Sequence, residues 1–249
     1  ERRGFVLDPG VPVTGHTMAA MADLSGYETD LSNLPPSAWP AYLDERSGLP
    51  GPRANLTLVS TAASRADGAT IDALLAHGGE YQTLCAAAAL ARRADDPASE
   101  ARARTLAADE RWRVREGVAI GLQLLGDRSS VDLTRIVRHW VDDPRPLVQR
   151  AAIAAVCEPR LLRDPSVATV ALGICDRATR NLCALPADRR RQADARTLRQ
   201  GLGYCWSVAV AAHPEEGLPM FRALDTSDSD LAWIVNQNSR KKRLATLLG

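Results

Sequence analysis

The sequence predicts an all-α protein of stacked helix pairs, and three observations predict it. A segment from Asp109 to Leu125 returns in altered form from Asp143 to Val156, and aligning Asp109 on Asp143 also sets Val114 on Val148. A looser copy spans Leu84 to Ala91, and another runs from Asp228 through Trp233 to Val235. Recurrence at this period marks units that bury their apolar faces only against their neighbours. Beyond Arg53, apolar residues recur at spacings of three and four, the period of one helix face. No alternating run rich in Val, Ile or Thr is long enough to form a sheet strand.

The elements follow in order. Residues 1–35 mix Gly, Pro, Ser and Asp with few periodic apolar positions, so an irregular arm is expected there. A short helix is expected over Ala38–Glu45, closed by Ser47-Gly48-Leu49-Pro50-Gly51-Pro52. Residues 1–52 thus read as an N-terminal arm and 53–249 as the repeat domain. Within it the apolar spacing predicts helices near 53–66, 70–77, 80–93, 97–107, 111–125, 130–141, 145–157, 165–183, 192–212, 215–223 and 229–248. Asp96-Pro97, Asp143-Pro144 and Asp164-Pro165 each offer a capping acceptor followed by a residue that needs no N–H donor, the chemistry of a helix start. Ser129 with Asp132 and Ser227 with Asp230 have capping-box spacing. From Arg111 onward, Val114, Val118, Leu122 and Leu125 form an apolar stripe while Arg111 and Arg115 lie one turn apart.

Hydrophobic residues make up 45% of the chain and aromatic ones 4%, so the core must be mostly Ala, Leu and Val. The formal net charge of +1 argues against a wholly basic nucleic-acid protein. The charge is uneven, however. Residues 1–99 hold 7 basic and 12 acidic side chains, and residues 100–249 hold 24 and 18, so a modest positive field belongs to the C-terminal part. The five cysteines, Cys85, Cys157, Cys175, Cys183 and Cys205, are widely spaced in apolar helical contexts and read as reduced core residues of a cytoplasmic protein. No apolar run reaches the roughly 18 residues that span a bilayer, so no membrane association is expected. Residue 1 is not Met, and a removed leader stays open.

The pattern of Asp, Val and Arg ahead of an alanine-rich stripe, over roughly residues 80–160, resembles HEAT repeats, including the variety first described in phycobilisome-lyase-like proteins. The resemblance implies an α-solenoid. It departs from the pattern at Gln149, where an Arg would follow the second repeat's Val, with Arg150 one position later. In fold type alone the chain is also similar to HEAT-like alkylpurine DNA glycosylases, which hold a cationic nucleotide against Trp faces and a carboxylate. No local motif matches residue by residue, so no catalytic role is carried across. Trp112, Trp140 and Asp143 stand as the residues that this alternative would use.

The remaining chemistry is sparse. His16, His77, His139 and His213 are too scattered for a metal helix or a catalytic triad, and Gly201-Leu-Gly203 follows no strand, so no metal and no cofactor is expected. Arg115, Arg150, Arg189-Arg190-Arg191 and Arg240-Lys241-Lys242-Arg243 are the candidate contacts to an anionic partner. The expected function is a non-enzymatic scaffold whose concave face binds a macromolecule, in the first place a protein. DNA through the basic C-terminal part is the second partner, and a glycosylase acting on alkylated purines is the rival from another class. The sequence leaves the oligomeric state open.

Overall fold

The computed structural model describes residues 26–249, and every regular element among them is a helix. Residues 1–25, most of the expected arm, lie outside the described residues. Where the sequence predicts irregular chain up to residue 35, the described part opens in a helix, 26–33 (α1). Tyr27, Leu31 and Leu34 explain the difference: they make one apolar face at spacings of four and three, too short a run for periodicity to register. Leu31 is buried, and the Tyr27 hydroxyl accepts from Asn55 Nδ2 at 3.1 Å. A 3-10 turn (Pro36–Ala38) leads into α2 (Trp39–Arg46), which buries Trp39 and Leu43.

The remaining elements are α3 (Leu56–Arg65), α4 (Gly68–His77), α5 (Glu80–Arg92), α6 (Pro97–Leu106), α7 (Trp112–Arg128), α8 (Ser130–Trp140), α9 (Pro146–Val156), α10 (Pro165–Ala184), α11 (Ala187–Arg190), α12 (Ala193–Ala212), α13 (Pro214–Arg222), α14 (Ser229–Ser239) and α15 (Lys242–Leu248). Periodicity therefore located the helices, with two departures. The one-turn α11 has no apolar period to announce it. The expected helix 229–248 is two helices, because the chain turns at Arg240 and Lys241, where the backbone at Lys241 is extended (φ −78°, ψ 122°).

The caps hold in part. Asp96 accepts from the Ser99 N–H at 2.8 Å, Asp164 from the Ser166 N–H at 2.9 Å, and Ser129 Oγ from the Asp132 N–H at 3.2 Å. Asp143-Pro144 does not start a helix. Helix α9 begins at Pro146, and the Asp143 carboxylate instead takes the Arg145 N–H at 2.8 Å. At α14 the cap is Asp228 rather than Ser227: its Oδ1 accepts from the Asp230 and Leu231 N–H groups at 2.8 and 3.3 Å.

Contacts run in sequence, α3 on α5, α5 on α7, α7 on α9, α9 on α12 and α12 on α14. The intervening helices flank this row, with α4 and α6 on α5, α8 on α7 and α9, α10 on α9 and α12, and α13 and α15 on α12. The closest approach is α5 to α7. Helix α5 is buried from Tyr81 to Ala91, and its alanine run meets Gly117 and Gly121. A Cβ at Gly121 would sit 2.2 Å from the Ala88 carbonyl oxygen, and one at Gly117 2.4 Å from that of Leu84. Small side chains on both helices set this spacing, since interaxial distance follows the residues at the contact. Val114, Val118, Leu122 and Leu125 are fully buried, as are Val148, Ala152 and Ala155, so the predicted stripes face the core.

Candidate binding surface

The recurrence seen in the sequence becomes a repeated clasp. Asp109 accepts from Arg111 three times, at its N–H (2.8 Å), Nε (2.9 Å) and Nη2 (2.9 Å), and Arg115 Nη1 donates to the Asp109 carbonyl at 2.6 Å. Thirty-four positions on, Asp143 binds Arg145 in the same manner at 2.8, 3.0 and 2.9 Å. Gln149 then stands where Arg115 stood, its Nε2 donating to the Asp143 carbonyl at 2.7 Å. The departure from the repeat pattern thus conserves the hydrogen bond and drops the charge. Arg104 Nε adds a further donor to Asp143 at 2.6 Å. Burial works to raise the Asp143 pKa, yet the bonds and charge of Arg145 and Arg104 outweigh it and hold the carboxyl down at about 2. For Asp109 the hydrogen bonds from Arg111 lead, and they lower it as well.

This placement corrects two of the three residues that a glycosylase would use. Asp143 is 1% exposed with both oxygens engaged, and Trp140 is fully buried, its Nε1 donating to Glu100 Oε1 at 3.1 Å. Neither side chain can meet a nucleotide. Trp112 is different: it is 47% exposed at the first turn of α7, with the Arg113 guanidinium 4.6 Å from its ring centroid. The other tryptophans divide. Trp206 is buried and donates to Thr179 Oγ1 at 3.0 Å, whereas Trp233 is half-buried beneath the Arg199 guanidinium at 4.8 Å.

Between these two tryptophans the row helices carry a ladder of charges. Arg113 on α7 reaches Glu80 on α5 at 3.1 Å, Arg150 on α9 reaches Glu116 on α7 at 3.0 Å, and Arg199 on α12 reaches Asp230 on α14 at 2.6 Å. The first two bonds span 33 and 34 residues, one repeat each. Toward the other helix ends Arg128 meets Asp95 at 2.7 Å and Arg160 meets Asp127 at 2.9 Å, each 33 residues back. Arg113 Nε, Arg150 Nη1 and Arg199 Nε are buried without a hydrogen-bond partner among the described residues. Sequence reading named Arg115 and Arg150 but missed Arg113, Glu116 and Arg199. The signal was there, since Arg113 and Glu80, like Arg150 and Glu116, stand one period apart.

The basic clusters separate in the same way. Arg190 is consumed internally, donating to Asp228 at 2.6 Å and to the carbonyls of Leu185 and Cys183. Arg189 binds Gln192 and Asp194. Arg191 is exposed and has no such partner among the described residues. At Arg240-Lys241-Lys242-Arg243 no carboxylate intervenes. Lys241 and Arg243 lie over the Tyr204 ring at 5.7 and 5.0 Å, and Arg243 Nη2 donates to the Tyr204 hydroxyl at 3.1 Å.

Other chemistry is spare. An open cleft of about 530 Å³ between the C-terminal end of α7 and the start of α10 is lined by Asp127, Arg128, Arg160, Arg163 and Asp164, charges of both signs. Among the described residues no group of His, Cys, Asp and Glu is arranged to hold a metal ion, and no helix is long and apolar enough to cross a membrane. Cys157 and Cys175 are buried with their sulfurs 3.6 Å apart and Cys205 lies against Cys157 in the same cluster, whereas Cys85 is buried elsewhere in the core and Cys183 is half-buried. Compared with known proteins, the chain matches no family model, no curated protein and no solved structure.

Proposed function

We propose that the chain is a HEAT-like helical-repeat scaffold whose row of helices α5, α7, α9, α12 and α14 winds as a superhelix and presents one face to a protein partner. The observation that carries the reading is the clasp repeated at Asp109 and Asp143, reinforced by ion pairs one repeat long. Units that bond to the preceding unit by the same residues build an extended face rather than an enclosed pocket. On that face Trp112 is exposed beside charges that are already neutralised in pairs. An amphipathic anchor of this kind, ringed by paired charge, suits the apolar centre and polar rim of a protein interface. With Trp140 and Asp143 inside the core, no described feature favours base excision.

The test is affinity capture with the chain as bait, compared with a Trp112→Ser bait of unchanged circular dichroism. Partners held through this face should fall about tenfold or more, the usual loss at an aromatic hot spot. Equal capture by both baits would remove the face from the reading. Incubation with methylated duplex DNA should release no alkylated purine, and release would restore the glycosylase.

A further inference from the structure

We propose that the C-terminal basic end, Arg240, Lys241, Lys242 and Arg243 gathered against Tyr204, binds the phosphate backbone of duplex DNA. The inference goes beyond the protein-binding reading of the Trp112 face and does not rest on it.

The first argument is unspent charge. From Leu231 to Gly249 the chain has four cations and no acidic side chain, and its only two lysines are among them. Among the described residues none of the four forms an ion pair, while Arg189, Arg190 and Arg199 nearby are each tied to a carboxylate. The cations that face a carboxylate are thus taken up in packing, and the four after Asp230 are left without one among the described residues.

The second is placement. Asn238, fully buried, donates from Nδ2 to the Leu202 and Ile234 carbonyls at 2.9 and 2.8 Å and accepts from the Ser207 N–H at 2.8 Å. This amide fixes the end of α14 to the middle of α12, directly ahead of the turn at Arg240. Leu244, fully buried, anchors α15 on the far side. The cations thus emerge from a fixed turn, and the Tyr204 ring holds two of them in place. Less freedom is then lost on binding than from a loose tail.

The third is what the patch lacks. The large apolar side chains exposed among the described residues are Leu56, Trp112 and Val131, all on other helices. A protein interface needs an apolar centre, and a lipid surface that holds a segment firmly adds an inserted apolar group to the charge. A phosphate backbone needs neither, because counterion release supplies its affinity. Two cations already lie over the Tyr204 ring, which competes with a stacked base and favours duplex over single strand.

The experiment is fluorescence anisotropy of the full chain with a labelled 20-base-pair duplex of arbitrary sequence, across salt concentrations. With three to four phosphates contacted, log Kobs should fall against log salt with a slope of about −3, roughly 30-fold between 50 and 150 mM. The variant Lys241→Gln/Lys242→Gln should flatten the slope by about two. The control Arg138→Gln/Arg163→Gln removes as much charge from two exposed arginines that have no ion pair among the described residues, and should leave the slope near the parent value. No binding at the lowest salt, equal flattening by the control, or tighter binding to single strand or to phosphatidylserine vesicles than to duplex would each overturn the proposal.

Discussion

The middle of the molecule, α5 to α9, and the C-terminal run that follows Asp230 use basic residues in opposite ways. In the middle, arginine is structural: Arg113, Arg128, Arg150 and Arg160 each reach about one repeat back to a carboxylate. At the end, the supply of carboxylates stops at Asp230, and the cations after it go unpaired among the described residues. The fate of an arginine is set by whether a partner recurs at the same period. A basic run in the sequence is therefore informative only once the carboxylates opposite it are known, as Arg190 and Arg240 show.

The largest difference between the regions should appear at glycine. A Cβ at Gly121 in the middle would press on the Ala88 backbone oxygen, which cannot yield, so Gly121→Val should cost about 4 kcal/mol or prevent folding. At the C-terminal end the nearest atom to a Cβ at Gly203 is a ring carbon of Trp233, at 2.7 Å, and a side chain can turn aside. Gly203→Ala should cost about 1–2 kcal/mol. Urea unfolding of both variants checks the ranking, and a costlier Gly203→Ala would contradict it.

Next comes the Asp143 clasp. Asp143→Ala leaves Arg104 and Arg145 without their carboxylate and should destabilise by about 3 kcal/mol. The parent should show the linked pH effect. A carboxyl held at about 2 in the folded state, against 3.8 when free, contributes stability that is fully present above pH 4 and lost as pH falls through 2. The difference is about 2 kcal/mol. Stability measured between pH 5 and 2 should decline less steeply in Asp143→Ala than in the parent.

A smaller effect is expected at Asn238, where Asn238→Ala removes three hydrogen bonds from the core. About 2 kcal/mol should be lost, and α15 should gain amide exchange before α7 does. Smallest is Arg191→Ala, an exposed residue with no partner among the described residues, which should change stability by less than about 0.5 kcal/mol. A larger loss would mean that the C-terminal arginines are as structural as those in the middle.

The sequence by itself determined the helical class, most helix positions and the two-repeat core. Apolar period and Asp caps are local quantities, each set by residues within a turn or two, and the recurrence is a likeness between two such local patterns. It also held, unread, the pairing of Glu80 with Arg113 and of Glu116 with Arg150, each one period apart. Tertiary structure alone decided which candidates face outward. Trp112 and Trp140 follow the same local rules, yet Trp140 closes over Glu100, 40 residues away, and Trp112 stands in solvent. The turn at Arg240 was likewise hidden, because the residue that fixes it, Asn238, ties its own helix to α12 through Leu202 and Ser207, more than 30 residues back. Burial and the break of a helix are sums over contacts distant in sequence, and a period of three and four residues contains no record of them.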